Sequence, residues 1–147
     1  MTTSWTPPQP TDVLSYDYLW AAEAARGAED SYKTRPVVVV LATIRHADHI
    51  EVLVAPITTR QPSTEQSSVE IPQTVRNHLK LDASRSWVVT SEVNRFRWPG
   101  PDVRPIQNAE RATPYYGKIP AKLLQSIRDR LAETIDRGSL KMTDRTS

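Results

Sequence analysis

The 147-residue chain has no cysteine, only 4 glycines and a single phenylalanine. Without cysteine there is no disulfide, no thiolate nucleophile and no cysteine-ligated zinc or iron–sulfur centre. A Gly-rich phosphate loop is absent, and neither HExxH nor GxSxG occurs. No uninterrupted apolar run approaches the roughly 18 residues that a membrane helix needs. The opening Met1-Thr-Thr-Ser-Trp-Thr-Pro-Pro lacks a basic start and an apolar stretch, so no signal peptide is expected. A soluble cytoplasmic protein is the default expectation. Histidine is sparse: His46, His49 and His78. His46 and His49 flank a hairpin turn, near enough to share a metal ion, but two histidines at a turn tip are ordinarily just solvated. No metal and no cofactor is expected.

What is present is proline, at 12 residues, and a nearly balanced charge of 19 Lys and Arg against 17 Asp and Glu. The length suits one domain with a sizeable core. The balance hides an asymmetry. Residues 1–84 carry 7 basic and 10 acidic side chains, net −3, and residues 85–147 carry 12 and 7, net +5. A basic half suggests a polyanion partner, although scattered arginines on a solvated surface produce the same arithmetic.

Residues 1–11 are rich in Pro and Thr and read as a flexible arm. Leu14, Tyr16, Tyr18 and Trp20 alternate with other residues, a strand signal. An alanine-rich stretch with Gly27 follows, and residues 21–34 read as a long connection with one or two helical turns. Pro36 to Ile44 (PVVVVLATI) is β-branched throughout and predicts a central strand. Ile50 to Ile57 predicts its hairpin partner. Ser68 to Ile71 is a short strand, and Pro72 opens a short helix with Val75 and Leu79 on one face. Ser86 to Phe96 reads as a long strand, and Val103 with Ile106 as a last short one. From Pro120 to Gly138 the apolar residues Leu123, Ile127, Leu131 and Ile135 recur every fourth position, with Leu124 beside them, so an amphipathic helix is predicted. Residues 138–147 read as a flexible tail. The sum is a mainly β chain, a small, strongly bent antiparallel barrel over residues 12–137 with a C-terminal helix. Its exposed edges suggest a homodimer.

The order of several short motifs resembles the MazF/PemK/Kid toxins of bacterial toxin–antitoxin pairs. Asp12-Val-Leu-Ser-Tyr-Asp resembles the family's opening strand, with Thr11 where members carry glycine. Gly27-Ala-Glu-Asp-Ser-Tyr-Lys-Thr-Arg-Pro is similar to the loop that ends in Arg-Pro. Arg35-Pro-Val-Val-Val-Val, Val54-Ala-Pro-Ile-Thr-Thr and Val88-Val-Thr-Ser-Glu-Val-Asn-Arg-Phe look like the strands that follow, and the resemblance spans roughly residues 11–137. It implies an SH3-like barrel and a sequence-specific, metal-independent endoribonuclease that cuts single-stranded RNA and is held in check by an antitoxin protein. It places activity at Arg35 and Thr58. The acidic position of some members falls on Ser91, with Glu92 beside it, and a common arginine falls on Asn94, with Arg95 beside it.

The chemistry agrees with those residue types. When a 2′-OH attacks the adjacent phosphorus, negative charge builds on the phosphoryl oxygens. A guanidinium suits that charge and grips phosphate in two places. Thr58 lacks basicity and would position or donate. The base would be a carboxylate with a raised pKa, with Glu29, Asp30 and Glu92 as candidates. Arg95, Glu29, Asp30 and Thr59 are the candidate substrate contacts. Trp87, Phe96 and Trp98 are read as core or interface, with stacking on an unpaired base as the alternative. Without the resemblance, Arg35 reads rather as a rim residue paired with Glu29 or Asp30, and Thr58 as the end of a strand. A catalytically silent SH3-like barrel that binds nucleic acid or an antitoxin peptide is the alternative function. A stand-alone peptide-binding module is a weaker one, since no exposed aromatic groove is evident.

Overall fold

The computed structural model describes residues 5–28, 33–46, 49–64, 66–82, 84–107 and 112–145, with only the backbone at 45 and 46. Its strands are β1 (Asp12–Tyr16), β2 (Arg35–His46), β3 (His49–Thr58), β4 (Ser68–Glu70), β5 (Trp87–Val89), β6 (Glu92–Trp98), β7 (Tyr115–Lys118) and β8 (Lys141–Asp144). Its helices are α1 (Ala21–Ala25), α2 (Gln73–Leu79) and α3 (Ala121–Asp136). The fold is mainly β with a C-terminal helix, as the sequence predicts.

The valine run makes β2 the centre. It pairs antiparallel with β3 through Val37↔Pro56, Val38↔Ala55 and Val39↔Val54, and with β1 through Val13↔Val38 and Tyr16↔Arg35. Side chains alternate across a strand. Val38 and Val40 therefore pack on one face with Ile57, Val75, Leu79 and the α3 residues Leu123, Ile127 and Leu131. Val37 and Val39 pack on the other with Tyr16, Tyr18, Val52, Val54 and Phe96. A strand covered on both faces must be apolar at every position, which is what the unbroken run supplies. On its far side β3 pairs with β5 at Ile57 and Thr58 and with β6 from Ile50 to Val54.

Several expectations are corrected. The stretch read as one strand from Ser86 to Phe96 is two, because Val54 pairs with Asn94 while Ile57 pairs with Val88. Three steps on β3 face six on its partner. The extra residues bend the chain at Thr90, whose N–H donates instead to Ser67 O at 2.8 Å. The last strand before α3 is β7, not Val103 with Ile106; Val103 makes only an isolated bridge to Tyr16. On α3, Thr134 is buried and Ile135 is 58% exposed, so the inward stripe drifts off the strict fourth-residue repeat. Gly138, at φ +69, lies just beyond that helix in the left-handed conformation that ends helices.

The described parts of the arm and the tail, residues 5–11 and 138–145, make contacts with the barrel. In the arm, the Trp5 indole N–H donates to Ala112 O at 2.9 Å, and Pro8 is buried. In the tail, β8 runs parallel to β6, giving its edge a partner. Arg145, with a side chain 4% exposed, anchors the strand by donating to Asp102 Oδ1 at 2.9 Å and Asp17 O at 3.0 Å. Thr11 holds φ +87, a conformation that suits glycine, and stays there because its N–H donates to Val39 O and its carbonyl accepts from Ile119 N–H.

Candidate functional site

Antiparallel pairing of β2 with β3 brings the start of one beside the end of the other. Val37 lies opposite Pro56, so Arg35 and Thr58 meet at the same end of the hairpin. Both line a cleft of about 440 Å³ with Trp20, Lys33, Thr59 and Arg60; Gln61 and Gln66 complete its polar wall.

Arg35 is half-buried, and its Nε is enclosed without a hydrogen-bond partner. Its guanidinium carbon lies 5.0 Å from the centroid of the Trp20 ring, a cation–π contact. Burial lowers its pKa, while the negative charge of Glu23 and the Tyr18 side chain act in the opposite direction. An arginine titrates so far above neutrality that it stays charged. Among the described residues no carboxylate hydrogen-bonds to it. With no described carboxylate bonded to it, this half-buried cation at a cleft favours an incoming anion.

Thr58 Oγ1 accepts the Arg60 N–H at 3.2 Å. A hydroxyl that accepts still has its own proton to give. Thr58 therefore has a donor left for an oxygen in the cleft, and Thr59, exposed beside it, adds a second hydroxyl.

Glu92 and Arg95 lie elsewhere. Glu92 is 8% exposed and outside the cleft lining; its Oε1 accepts Ala21 N–H at 2.8 Å and Tyr18 O–H at 3.0 Å. Burial pushes its pKa up, and the hydrogen bonds from Ala21 and Tyr18 oppose that. Arg95 is bound to Asp144 and lies 3.6 Å from Glu51, on the side of β6 that meets β8. Glu29 and Asp30 lie outside the described residues. Trp87, Phe96 and Trp98 are buried, as core aromatics. His46 and His49 face each other across the hairpin end. Among the described residues no group of three or more His, Asp or Glu gathers that could hold a metal ion.

Three cleft residues escape a sequence reading: Trp20, which looks like the last residue of a strand, and Lys33 and Arg60, which look like loop charges. The signal for the last two was adjacency, since Lys33 sits two positions from Arg35 and Arg60 two from Thr58. The cleft's cations do not come from the basic half. Lys33, Arg35 and Arg60 all come from the net-acidic half of the sequence. In the basic half, Arg85, Arg95, Arg104 and Arg145 are paired with Glu70, Asp144, Asp17 and Asp102.

A family model for PemK-like, MazF-like toxins of type II toxin–antitoxin systems matches residues 18–135, from Tyr18 through nearly all of α3. No curated protein matches the chain. Among the described residues, no helix is long and apolar enough to cross a membrane.

Proposed function

Since the chain belongs to the PemK-like, MazF-like toxins of type II toxin–antitoxin systems, we propose that its cleft is the active site of a sequence-specific endoribonuclease that cuts single-stranded RNA without a metal ion. The observation that carries this reading is Arg35, a half-buried guanidinium at a cleft with an unpartnered Nε and, among the described residues, no hydrogen-bonded carboxylate. The reaction is a transesterification. The 2′-oxygen forms a bond to the adjacent phosphorus as the bond to the 5′-oxygen breaks. The 2′-proton goes to a base, and the departing 5′-oxygen takes one up. The products are a cyclic phosphate and a free 5′-hydroxyl.

Arg35 faces the charge that grows on the phosphoryl oxygens, where a fixed donor is worth about 100-fold or more. Thr58 donates its hydroxyl to one of those oxygens, and Thr59 helps to seat the strand. Lys33 and Arg60, on either side, suit the flanking phosphates. No carboxylate lines the described cleft, so Glu29 and Asp30, on the segment that leads to Lys33, are the candidates for the base. Single strands fit best because their bases are free to splay and be read.

In the cell we assign it a cytoplasmic place, a homodimeric state and an antitoxin whose acidic segment covers the same cations. A solution mass equal to one chain at micromolar concentration would count against the dimer. The functional test is incubation of pure protein with mixed-sequence RNA in chelator, with mapping of the ends. Cyclic phosphate and 5′-hydroxyl ends at a recurring motif are expected, with Thr58→Ala less damaging than Arg35→Ala. Binding without cleavage would instead favour a catalytically silent barrel.

A further inference from the structure

Two polar side chains of β6 hold the segment that leaves β1. Asn94, fully buried, pairs its amide with the Leu19 backbone in both directions: Leu19 N–H donates to Oδ1 at 2.9 Å, and Nδ2 donates to Leu19 O at 2.8 Å. Asn94 thereby supplies the two bonds that a neighbouring strand would make. Two residues away, on the same face, Glu92 accepts the Ala21 N–H and the Tyr18 O–H. Trp20 lies between these anchors, and its own N–H donates to Glu23 Oε1 at 3.0 Å. Three successive N–H groups are thus held by side chains. Trp20's ring is fixed as well, meeting Tyr18 edge-on with centroids 5.2 Å apart. The guanidinium of Arg35 rests against that ring.

We infer that Trp20 is a positioning residue for Arg35, and that Asn94 and Glu92 serve the site by holding Trp20. The inference rests on the reading of Arg35 given above. An arginine head on a long, rotatable stem grips phosphate in two places only if its plane is set beforehand. A salt bridge usually does this. Here a flat aromatic surface is the contact that sets it, and no described carboxylate hydrogen-bonds to the head, whose N–H groups stay available to substrate. Glu92 is on this account an acceptor for Ala21 and Tyr18, not the base.

The test is steady-state cleavage of a short single-stranded RNA carrying one mapped site. Trp20→Leu is expected to lower kcat by roughly ten- to a hundredfold, the scale of a small misplacement, with KM and melting temperature little changed. Trp20→Phe, which keeps a flat ring, restores most of that loss. Asn94→Leu falls alongside Trp20→Leu, and the double variant is no worse than either, as expected of residues acting through one group. In an Arg35→Lys background, Trp20→Leu has no further effect. Undiminished loss in that background means that Trp20 acts on the substrate directly, and overturns the inference. So does full activity of Trp20→Leu beside an inactive Arg35→Ala, with the reading of Arg35 left intact. Full activity of Arg35→Ala overturns that reading itself. Trp20 is half-exposed, so its variants decide the matter even if Asn94→Leu fails to fold.

Discussion

Replacing Arg35 with leucine should separate activity from stability. The charged head is half-buried and, among the described residues, hydrogen-bonded to no carboxylate, and burial already pulls its pKa down. Losing it removes one cation–π contact with Trp20, worth about 1 kcal/mol at a partly exposed site. The same change removes a partly desolvated charge and keeps an apolar stem beside the ring. These terms oppose each other, so the net effect on folding is expected within about 1 kcal/mol of zero. At this chain length that is a shift in melting temperature of no more than roughly 4 °C. An arginine whose removal strands a buried carboxylate would cost about 3–5 kcal/mol instead. Activity should behave differently. Removal of a donor to the developing phosphoryl charge costs about 100-fold or more, equivalent to roughly 2.7 kcal/mol of barrier. Urea unfolding and RNA cleavage on the same preparation give both numbers. A folding loss near 3 kcal/mol would mark Arg35 as a structural ion-pair residue. Cleavage at the wild-type rate would remove it from the chemistry. Either result refutes the reasoning.

Affinity for a 2′-deoxy analogue, which lacks the nucleophile and stays uncut, should fall steeply with salt. Arg60→Ala should reduce the slope by about 0.7, the share of one phosphate contact on a single strand; an unchanged slope would place Arg60 off the RNA path. Thr11→Gly should raise stability by about 1 kcal/mol, because a β-branched residue at φ +87 stores strain of that order. Denaturant midpoints measure this, and an unchanged or lowered midpoint would show that the turn is not strained.

The parts of the fold that were legible in the sequence are those where one side-chain period decides the outcome. The valine run, the 36–57 hairpin and α3 follow from local patterning alone. The break between β5 and β6 does not, because every residue from Trp87 to Phe96 suits a strand. The break comes from β3, which is long enough to pair with two strands at different registers. Nothing in a single strand's own sequence records where its partner's register jumps. β7 and β8 were missed for a related reason. Each is 4 residues long and polar enough to read as loop, and each exists because an edge strand needed a hydrogen-bonding neighbour.

The candidate site divides along the same line. Arg35 and Thr58 were legible because a hairpin converts a separation of 23 positions (58 minus 35) into adjacency, a relation that register arithmetic recovers. Glu92 is harder to read, because a buried carboxylate with a raised pKa is what a general base requires, and also what an internal hydrogen-bond acceptor looks like. Residue type does not distinguish the two; the partners do. Ala21 N–H and Tyr18 O–H both donate to Glu92 Oε1, the arrangement of an internal acceptor. The neighbouring Asn94, standing where the family resemblance puts an arginine, makes the same point. A cation there could not both donate to and accept from Leu19, whereas an amide does both. The departure from the family pattern at Asn94 and the clamp on Trp20 are therefore one feature. On the proposed reading, it leaves the electrostatic work of the cleft to Arg35, with Lys33 and Arg60 at its flanks.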